Sequence, residues 1–582
     1  MTLRDALLIT QKQGAEGEPF RALLACGYSP LHVQTFLTAH LMQRLPGRPV
    51  RVTTGRYGDL TGTIELAAAT EEPFQAVAVS IEWPDLDPRL GYRRLGGWSK
   101  DGFADIVTTV RTRLDWIAQA IAKIPASTQV AIAGPTLPPA PAGGAPGWLE
   151  STAELELSLS LQEFLLAQSK LGRLIVSPSW FDRGCAPEAR FDARSEISAG
   201  FPFTRDHASL LSEALARLML PESPKKGLIT DLDDTFWKGI VGEIGADAIQ
   251  WDLDGGGQIH GLYQQLLASL GEQGTLLAIA SKNELSNVHK AFERTDMRAQ
   301  LDAFFPVEVH WQPKSGSVSR ILQAWNVGAD SVVFIDDSPA ELGEVQAAHP
   351  EVECILFPKN DPAEALRLLQ GLRDRFGKRS ASAEDAIRLQ SLRSAAELRE
   401  ASGSDDALDR FLSTADGKIT LDAASDDART LELVNKTNQF NLNGVRYTER
   451  DWAESRQRPG AFTFSALYED KFGPLGKIAV VHGTALDSKA VIDVWVMSCR
   501  AFSRRIEYHV LDEIFRHFAV DSIEFRFEPT AKNKPLAQLL SEWPRGPQRL
   551  SKEELEGLRP ALYHQVRYVG LDSDDSTTSV AR

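Results

Sequence analysis

The chain has 582 residues, 43% of them hydrophobic and 24% charged, with a formal net charge of -16. That length exceeds what one hydrophobic core supports and predicts roughly three or four domains. The acidic excess repels a phosphate backbone and argues against a nucleic-acid partner. Four cysteines, Cys26, Cys185, Cys354 and Cys499, lie far apart and form no Cys-x-x-Cys pair. This speaks against a disulfide scaffold or a zinc ribbon and fits a reducing compartment. The N-terminal apolar run, ALLIT, is too short for a signal-peptide core, and no window approaches a membrane-spanning length. The expected location is the cytoplasm, without membrane insertion.

In chain order, residues 1–220 alternate apolar runs with helical stretches: VRVTT at 50–54, AVAVSIEW at 76–83, a helix over 104–124, and VAIAG at 130–134. A proline- and glycine-rich loop (135–147), an amphipathic stretch (151–171) and RLIVSPSW (173–180) follow. The alternation predicts an α/β domain with a parallel sheet. PESPKK at 221–226 is a turn-rich boundary. A second α/β unit spans 221–378: GLIT (227–230), a helix over 258–272, TLLAIA (275–280), a helix over 284–294, SVVFI (331–335) and ECILF (353–357). Residues 379–409 read as a polar, helical linker. The last domain, 410–570, places a helix near 425–437 before the strands AFTFSALYE, GKIAVVHGTAL and AVIDVWVMSC, then a helix at 506–518 and SIEFRFE. That order suggests α+β. The terminal 571–582 segment has the composition of a disordered tail.

In the middle unit the apolar strand GLIT runs straight into Asp231-Leu232-Asp233-Asp234-Thr235. Ligands of parallel sheets bind beyond the carboxyl ends of the strands. Two carboxylates placed there, two residues apart, need a counter-charge, which Mg2+ supplies with its preference for oxygen ligands. Other strand ends offer Ser281-Lys282-Asn283, Lys314 ahead of a helix, and Asp336-Asp337. A carboxylate nucleophile, a hydroxyl, a cation and an acidic pair make up what phosphoryl transfer requires. A DxD after a strand is often only a solvated turn or a helix cap, and a lone lysine is usually surface. Four such pieces in order, each at the end of an apolar strand, are specific.

DLDDT, Ser281, Lys314 and Asp336-Asp337 resemble the four motifs of the haloacid-dehalogenase superfamily. The resemblance implies that Asp231 forms an aspartyl-phosphate and that Asp233 is general acid and base. It implies that Asp231, the Asp233 backbone carbonyl, Asp336 and Asp337 hold Mg2+, while Ser281 and Lys314 contact the phosphoryl group. Thr235, Lys282 and Asn283 are candidate substrate contacts. About 30 residues separate the first motif from the next helix, enough for a short flap and no cap domain.

TFWKGIVGEIG, SKN, FIDDSPAE and VNKTNQFNLNGVRYT are similar to the FkbH-like family. Its members load a glyceryl unit onto the pantetheine thiol of an acyl carrier protein, and longer ones add SGNH-hydrolase-like and GNAT-like domains. The resemblance therefore implies an α/β chain with a three-layer SGNH-like N-terminal domain, a capless Rossmann-like middle domain and an α+β GNAT-like C-terminal domain. It also names an acyl carrier protein as a candidate partner beside a small phosphorylated metabolite.

Three departures qualify it. Ala280 stands where glyceryl-transferring members tend to have a cysteine. Gly58-Asp59-Leu60 stands where the SGNH block has Gly-Asp-Ser, so the nucleophilic hydroxyl is missing and His207 reads as a helix-start or surface residue. The loop Arg500–Arg505 lacks the two glycines of an acyl-CoA pyrophosphate loop, although Arg500 remains a candidate substrate contact and its added arginines keep the loop attractive to anions. The expectation is a Mg2+-dependent phosphatase or phosphotransferase acting on a small phosphorylated acyl or sugar metabolite. A carrier-loading acyltransferase and a non-catalytic assembly protein are the alternatives.

Overall fold

The structure is a computed structural model. It describes residues 1–570 apart from 12–16, 71, 96–102, 141–145, 379–391, 394–404, 424–426, 438–439, 472, 487, 499–500, 502–503, 531–532, 542 and 545. The chain divides into two compact units, Met1–Ser223 and Pro224–Arg582, within the turn-rich segment expected to be a boundary.

The first unit is built on five parallel strands in the order β2-β1-β3-β4-β5: β1 Phe20–Cys26, β2 Val50–Thr54, β3 Ala76–Ser80, β4 Gln129–Ala133 and β5 Leu174–Ile175. The inner strands β1, β3 and β4 are buried along nearly their whole length because both faces are covered, while the edge strand β2 alternates. Ala22, Leu24 and Cys26 enter one core, Leu23 and Ala25 the other. This is the expected three-layer arrangement, with β1 added near its centre. Gly58-Asp59-Leu60 opens the helix Leu60–Ala69: Asp59 is its N-cap and accepts the Gly62 N–H at 2.9 Å, and Leu60 is buried. His207 does start a helix, Arg205–Met219, but it is wholly buried rather than on the surface. Packing between Phe181 and Phe203 excludes it from solvent.

In the second unit, β6 Gly227–Thr230, β7 Leu276–Ser281, β8 Phe304–Val309, β9 Val332–Asp336 and β10 Glu353–Leu356 form a parallel sheet ordered β10-β9-β6-β7-β8. Again the strands feed two cores: Leu228, Leu277, Ile279 and Ile335 on one face, Ile229, Ala278, Ala280 and Phe334 on the other. Gly227 opens β6 because the Trp325 ring lies against it; a Cβ there would meet the ring at 2.3 Å. Between β6 and the helix Gln258–Glu272 lie the one-turn helix Val241–Ile244 and two isolated bridges, Asp233 to Trp237 and Lys238 to Gln250. No cap domain interrupts the sheet.

The remaining strands are β11 Lys418–Asp422, β12 Phe440–Asn441, β13 Ala461–Asp470, β14 Gly473–Leu486, β15 Lys489–Met497, β16 Ser522–Phe525, β17 Arg549–Ser551 and β18 Gln565–Val569. They make a mixed sheet in the order β17-β16-β15-β14-β13-β11-β18, with β12 beside β15. NKTNQFN is not a continuous helical face. The helix Ala428–Lys436 ends inside it, and Asn435 is used internally, its side chain pairing with both backbone groups of Tyr447 at 2.8 and 2.9 Å. Arg504 and Arg505 do not keep the preceding loop attractive to anions. Arg504 is buried beside Asp470, and Arg505 donates to Asp409. Cys499, Arg500, the tail 571–582 and most of the expected linker lie outside the described residues; residues 405–409 belong to the helix Asp405–Thr414.

Candidate active site

The carboxyl ends of β6, β7 and β9 converge, with the start of the helix Lys314–Trp325 beside them. Asp231 leaves β6 with its N–H bonded to the Ile335 carbonyl at 2.9 Å, which fixes it against β9. Lys314, the first residue of its helix, is buried and reaches both neighbouring strands: its Nζ lies 2.8 Å from Asp231 and 2.6 Å from Asp336. Ser281, the last residue of β7, is buried at the adjoining strand end, where its hydroxyl accepts from Asn283 at 3.2 Å. Asp337 completes a group in which one carboxylate oxygen each from Asp231, Asp336 and Asp337 lies within 4.8 Å of the others.

Burial pushes the Asp231 carboxyl above its ordinary value, against the pull of Lys314 and the Ser281 hydroxyl. Burial, then the charge of Asp231, raises Asp336 to about 6 despite Lys314. Burial alone would lower Lys314, but the two carboxylates hold it above its ordinary value. Lys314 thus neutralises part of a threefold negative cluster, and Lys359 reaches Asp337 at 2.7 Å. Asp231 Oδ1 is buried and accepts no well-aligned hydrogen bond, although the ammonium sits beside it. An under-satisfied oxygen within a set of three carboxylates is a donor set that fits a hard divalent cation.

The Asp233 carboxylate is not part of this cluster and is held by three donors. Its Oδ1 accepts the Trp237 indole N–H at 2.8 Å and the Val241 N–H at 3.0 Å, and its Oδ2 accepts the Asn283 amide at 3.0 Å. Asn283 also donates to Ser281 Oγ at 3.2 Å, so β7's end ties the acid/base candidate to the hydroxyl. The Asp233 carboxylate is therefore not one of the clustered metal ligands; the resemblance assigned that role to its backbone carbonyl. Asp234 has φ of 52°, a left-handed conformation that aspartate tolerates better than most residues. There it accepts the Gly239 N–H at 2.8 Å and pairs with Lys359, which also pairs with Asp337 at 2.7 Å.

Two expected substrate contacts make bonds within the protein. Thr235 is wholly buried, and its carbonyl accepts from His260 Nδ1 at 2.9 Å. Lys282 is held by Glu341 at 2.7 Å. Arg500 is outside the described residues. The sequence reading missed Trp237, whose indole orients Asp233, and Lys359, which neutralises Asp234 and Asp337. The only signal for Lys359 was its place three residues after the end of β10.

No family model and no curated protein sequence matches the chain. Among solved structures, the N-terminal part of the protein BF1531 from Bacteroides fragilis, containing a phosphatase domain and complexed with Mg, aligns with a TM-score of 0.52 at 18% identity. The alignment covers 65% of this chain and 100% of that one. An uncharacterized protein from Corynebacterium glutamicum overlaps with a TM-score of 0.19 at 16% identity, over 26% of this chain and 98% of that one. An extracellular lipase from Streptomyces rimosus gives 0.24 at 14%, over 34% and 98%. Neither of these two overlaps bears on the fold. No described helix is long and apolar enough to cross a membrane.

Proposed function

We propose that the chain is a Mg2+-dependent phosphatase or phosphotransferase of the FkbH-like type, acting on a small phosphorylated acyl or sugar metabolite in the cytoplasm. The observation that carries this reading is Lys314 bridging Asp231 and Asp336 at 2.8 and 2.6 Å beside Asp337. Asp231, Asp336 and Asp337 would hold Mg2+, which when bound supplies the positive charge that draws a phosphate to a carboxylate nucleophile. The Mg in the Bacteroides fragilis structure supports that choice of ion.

Asp231 attacks phosphorus, and the bond to the leaving oxygen breaks with its electron pair. Asp233, protonated, gives that oxygen its proton. A water then attacks the aspartyl-phosphate, loses its proton to Asp233, and releases phosphate with Asp231 restored. Lys314 and Ser281 offset the charge on the phosphoryl oxygens. Asn283, Trp237 and the Val241 N–H keep Asp233 aimed.

The same resemblance makes the N-terminal unit an SGNH-like domain without its serine, used for binding, and the C-terminal sheet a GNAT-like domain. Acyl transfer through a thioester is less favoured. Ala280 carries no thiol and is wholly buried in the core. Burial, then the charge of Asp336, pushes the Cys354 thiol up to about 11, so no thiolate is available near neutral pH. The test is hydrolysis of 4-nitrophenyl phosphate by the full chain. Turnover should require Mg2+ and disappear in Asp231→Asn, which keeps the volume and removes the nucleophile. Activity that survives the substitution or chelation would refute the assignment.

A further inference from the structure

We propose that an apolar rim at the mouth of the Asp231 site selects phosphate esters with an apolar leaving group over those of sugars or glycerol. The proposal rests on the phosphatase reading above and narrows its substrate class. The rim is Ile240, Ile244, Leu285 and Trp311, which are 41%, 47%, 48% and 66% exposed. Single exposed apolar side chains are ordinary, but a group of them beside a site marks a contact surface.

These four are joined to the site by short links. Ile240 precedes Val241, whose N–H holds Asp233 at 3.0 Å. Ile244 ends the same one-turn helix and folds back over Gly239, where an added Cβ would lie 2.5 Å from its Cδ1. That helix packs on the helix Leu285–Phe292. Leu285 stands two residues after Asn283, the other partner of Asp233. Trp311 donates its indole N–H to Glu284 at 2.7 Å, which pins one edge of an otherwise open ring beside Leu285, three residues before Lys314.

The charges here do not suit a polar leaving group. Lys282 is paired with Glu341, and Lys359 with Asp234 and Asp337. Hydroxyls laid on Ile240, Ile244 and Leu285 would lose water and gain no partner. An acidic carrier protein would meet the carboxylate of Glu284 and paired lysines, so a small apolar group is the occupant that fits.

The experiment compares hexyl phosphate, glycerol 3-phosphate and methyl phosphate, three primary alkyl esters with leaving groups of similar acidity, on the full chain with Mg2+. The expected kcat/KM for hexyl phosphate exceeds that for glycerol 3-phosphate by about tenfold, the low end of what an apolar pocket discriminates. Trp311→Ala and, separately, Ile244→Ser should lower the hexyl-to-methyl ratio several-fold, acting through KM. Equal or reversed preference, or variants that leave the ratio unmoved, would overturn the proposal and leave the rim to a protein partner. Calorimetry of hexylphosphonate against methylphosphonate on the Asp231→Asn chain with Mg2+ separates the two readings. If no ester is turned over, a Trp311-dependent preference for hexylphosphonate upholds the rim while the phosphatase reading falls. No preference overturns the rim.

Discussion

Replacing Lys314 with methionine removes the only ammonium between two buried carboxylates while keeping most of the packing. The carboxylate oxygens of Asp231 and Asp336 lie within 4.8 Å, so their repulsion is at least about 3.5 kcal/mol at an effective dielectric near 20. Burial adds to that, so the variant escapes by protonating one of them. Holding a proton on a carboxyl whose ordinary value is 3.8 costs about 4.4 kcal/mol at about pH 7. Wild type already bears part of this cost, since Asp336 sits at about 6 with Lys314 in place. The expected loss is therefore about 2–4 kcal/mol, in keeping with breaking a buried pair from one side. The sign with pH follows. A carboxyl whose folded value is raised stabilises the fold at low pH and loses that contribution as pH rises. The gap between variant and wild type should accordingly close as pH falls through about 6. Millimolar Mg2+ should restore the variant more than wild type, because the ion replaces the missing charge and no longer competes with an ammonium. Hydrogen exchange of β6 and β9 with and without Mg2+ reads the middle domain alone, which a global melt of a multidomain chain would not. Protection that is unchanged at neutral pH, or a loss indifferent to both pH and Mg2+, would refute the reasoning.

Two further outcomes are expected. Asn283→Ala frees one oxygen of Asp233 and should lower kcat by about 10- to 100-fold, since it misaims a proton donor and also releases the Ser281 hydroxyl; steady-state kinetics on an aryl phosphate would show it, and an unchanged kcat would count against the role given to Asp233. In the first unit, burial raises Glu82 to about 8 against hydrogen bonds from Thr136. Its stabilising contribution is full below about 4.5 and lost as pH rises through about 8, so Glu82→Gln should slow exchange in β3 above that range and match wild type near pH 4.5.

The sequence was most informative where a strand ended in charge. GLIT followed by DLDDT located Asp231, the proposed nucleophile, and SVVFI followed by Asp336-Asp337 located the carboxylates beside it, because an apolar run breaking into carboxylates is a local pattern. RALLAC, the heart of β1, is a short apolar run without alternation, which periodicity cannot separate from buried helix. FFPVEV, which became β8, carries Pro306 in mid-run and so reads poorly as a strand; it lies at the edge of the sheet, where proline is tolerated. The orientation of Asp233 by Asn283 was out of reach, since a hydrogen bond between residues 50 apart leaves no trace in spacing. The network of Glu82, Thr136 and His207, with its 2.7 and 2.8 Å contacts, was hidden for the same reason.

The paired bonds between Lys238 and Gln250, at 2.8 and 3.1 Å, close the base of the segment that follows the catalytic loop. Val241 is tied to Asp233 just inside that base. What remains beyond both fastenings is the short exposed run 242–245, since Arg294 holds the Ala246 and Ile249 carbonyls at 3.2 and 2.8 Å and Ile249 is buried. A loop sealed at its stem can lengthen at its tip for about 0.6 kcal/mol per doubling, without moving the carboxylates below. This makes the tip a grafting point, where a whole lid could be spliced in to give the open site a different clientele while Asp233 keeps its aim.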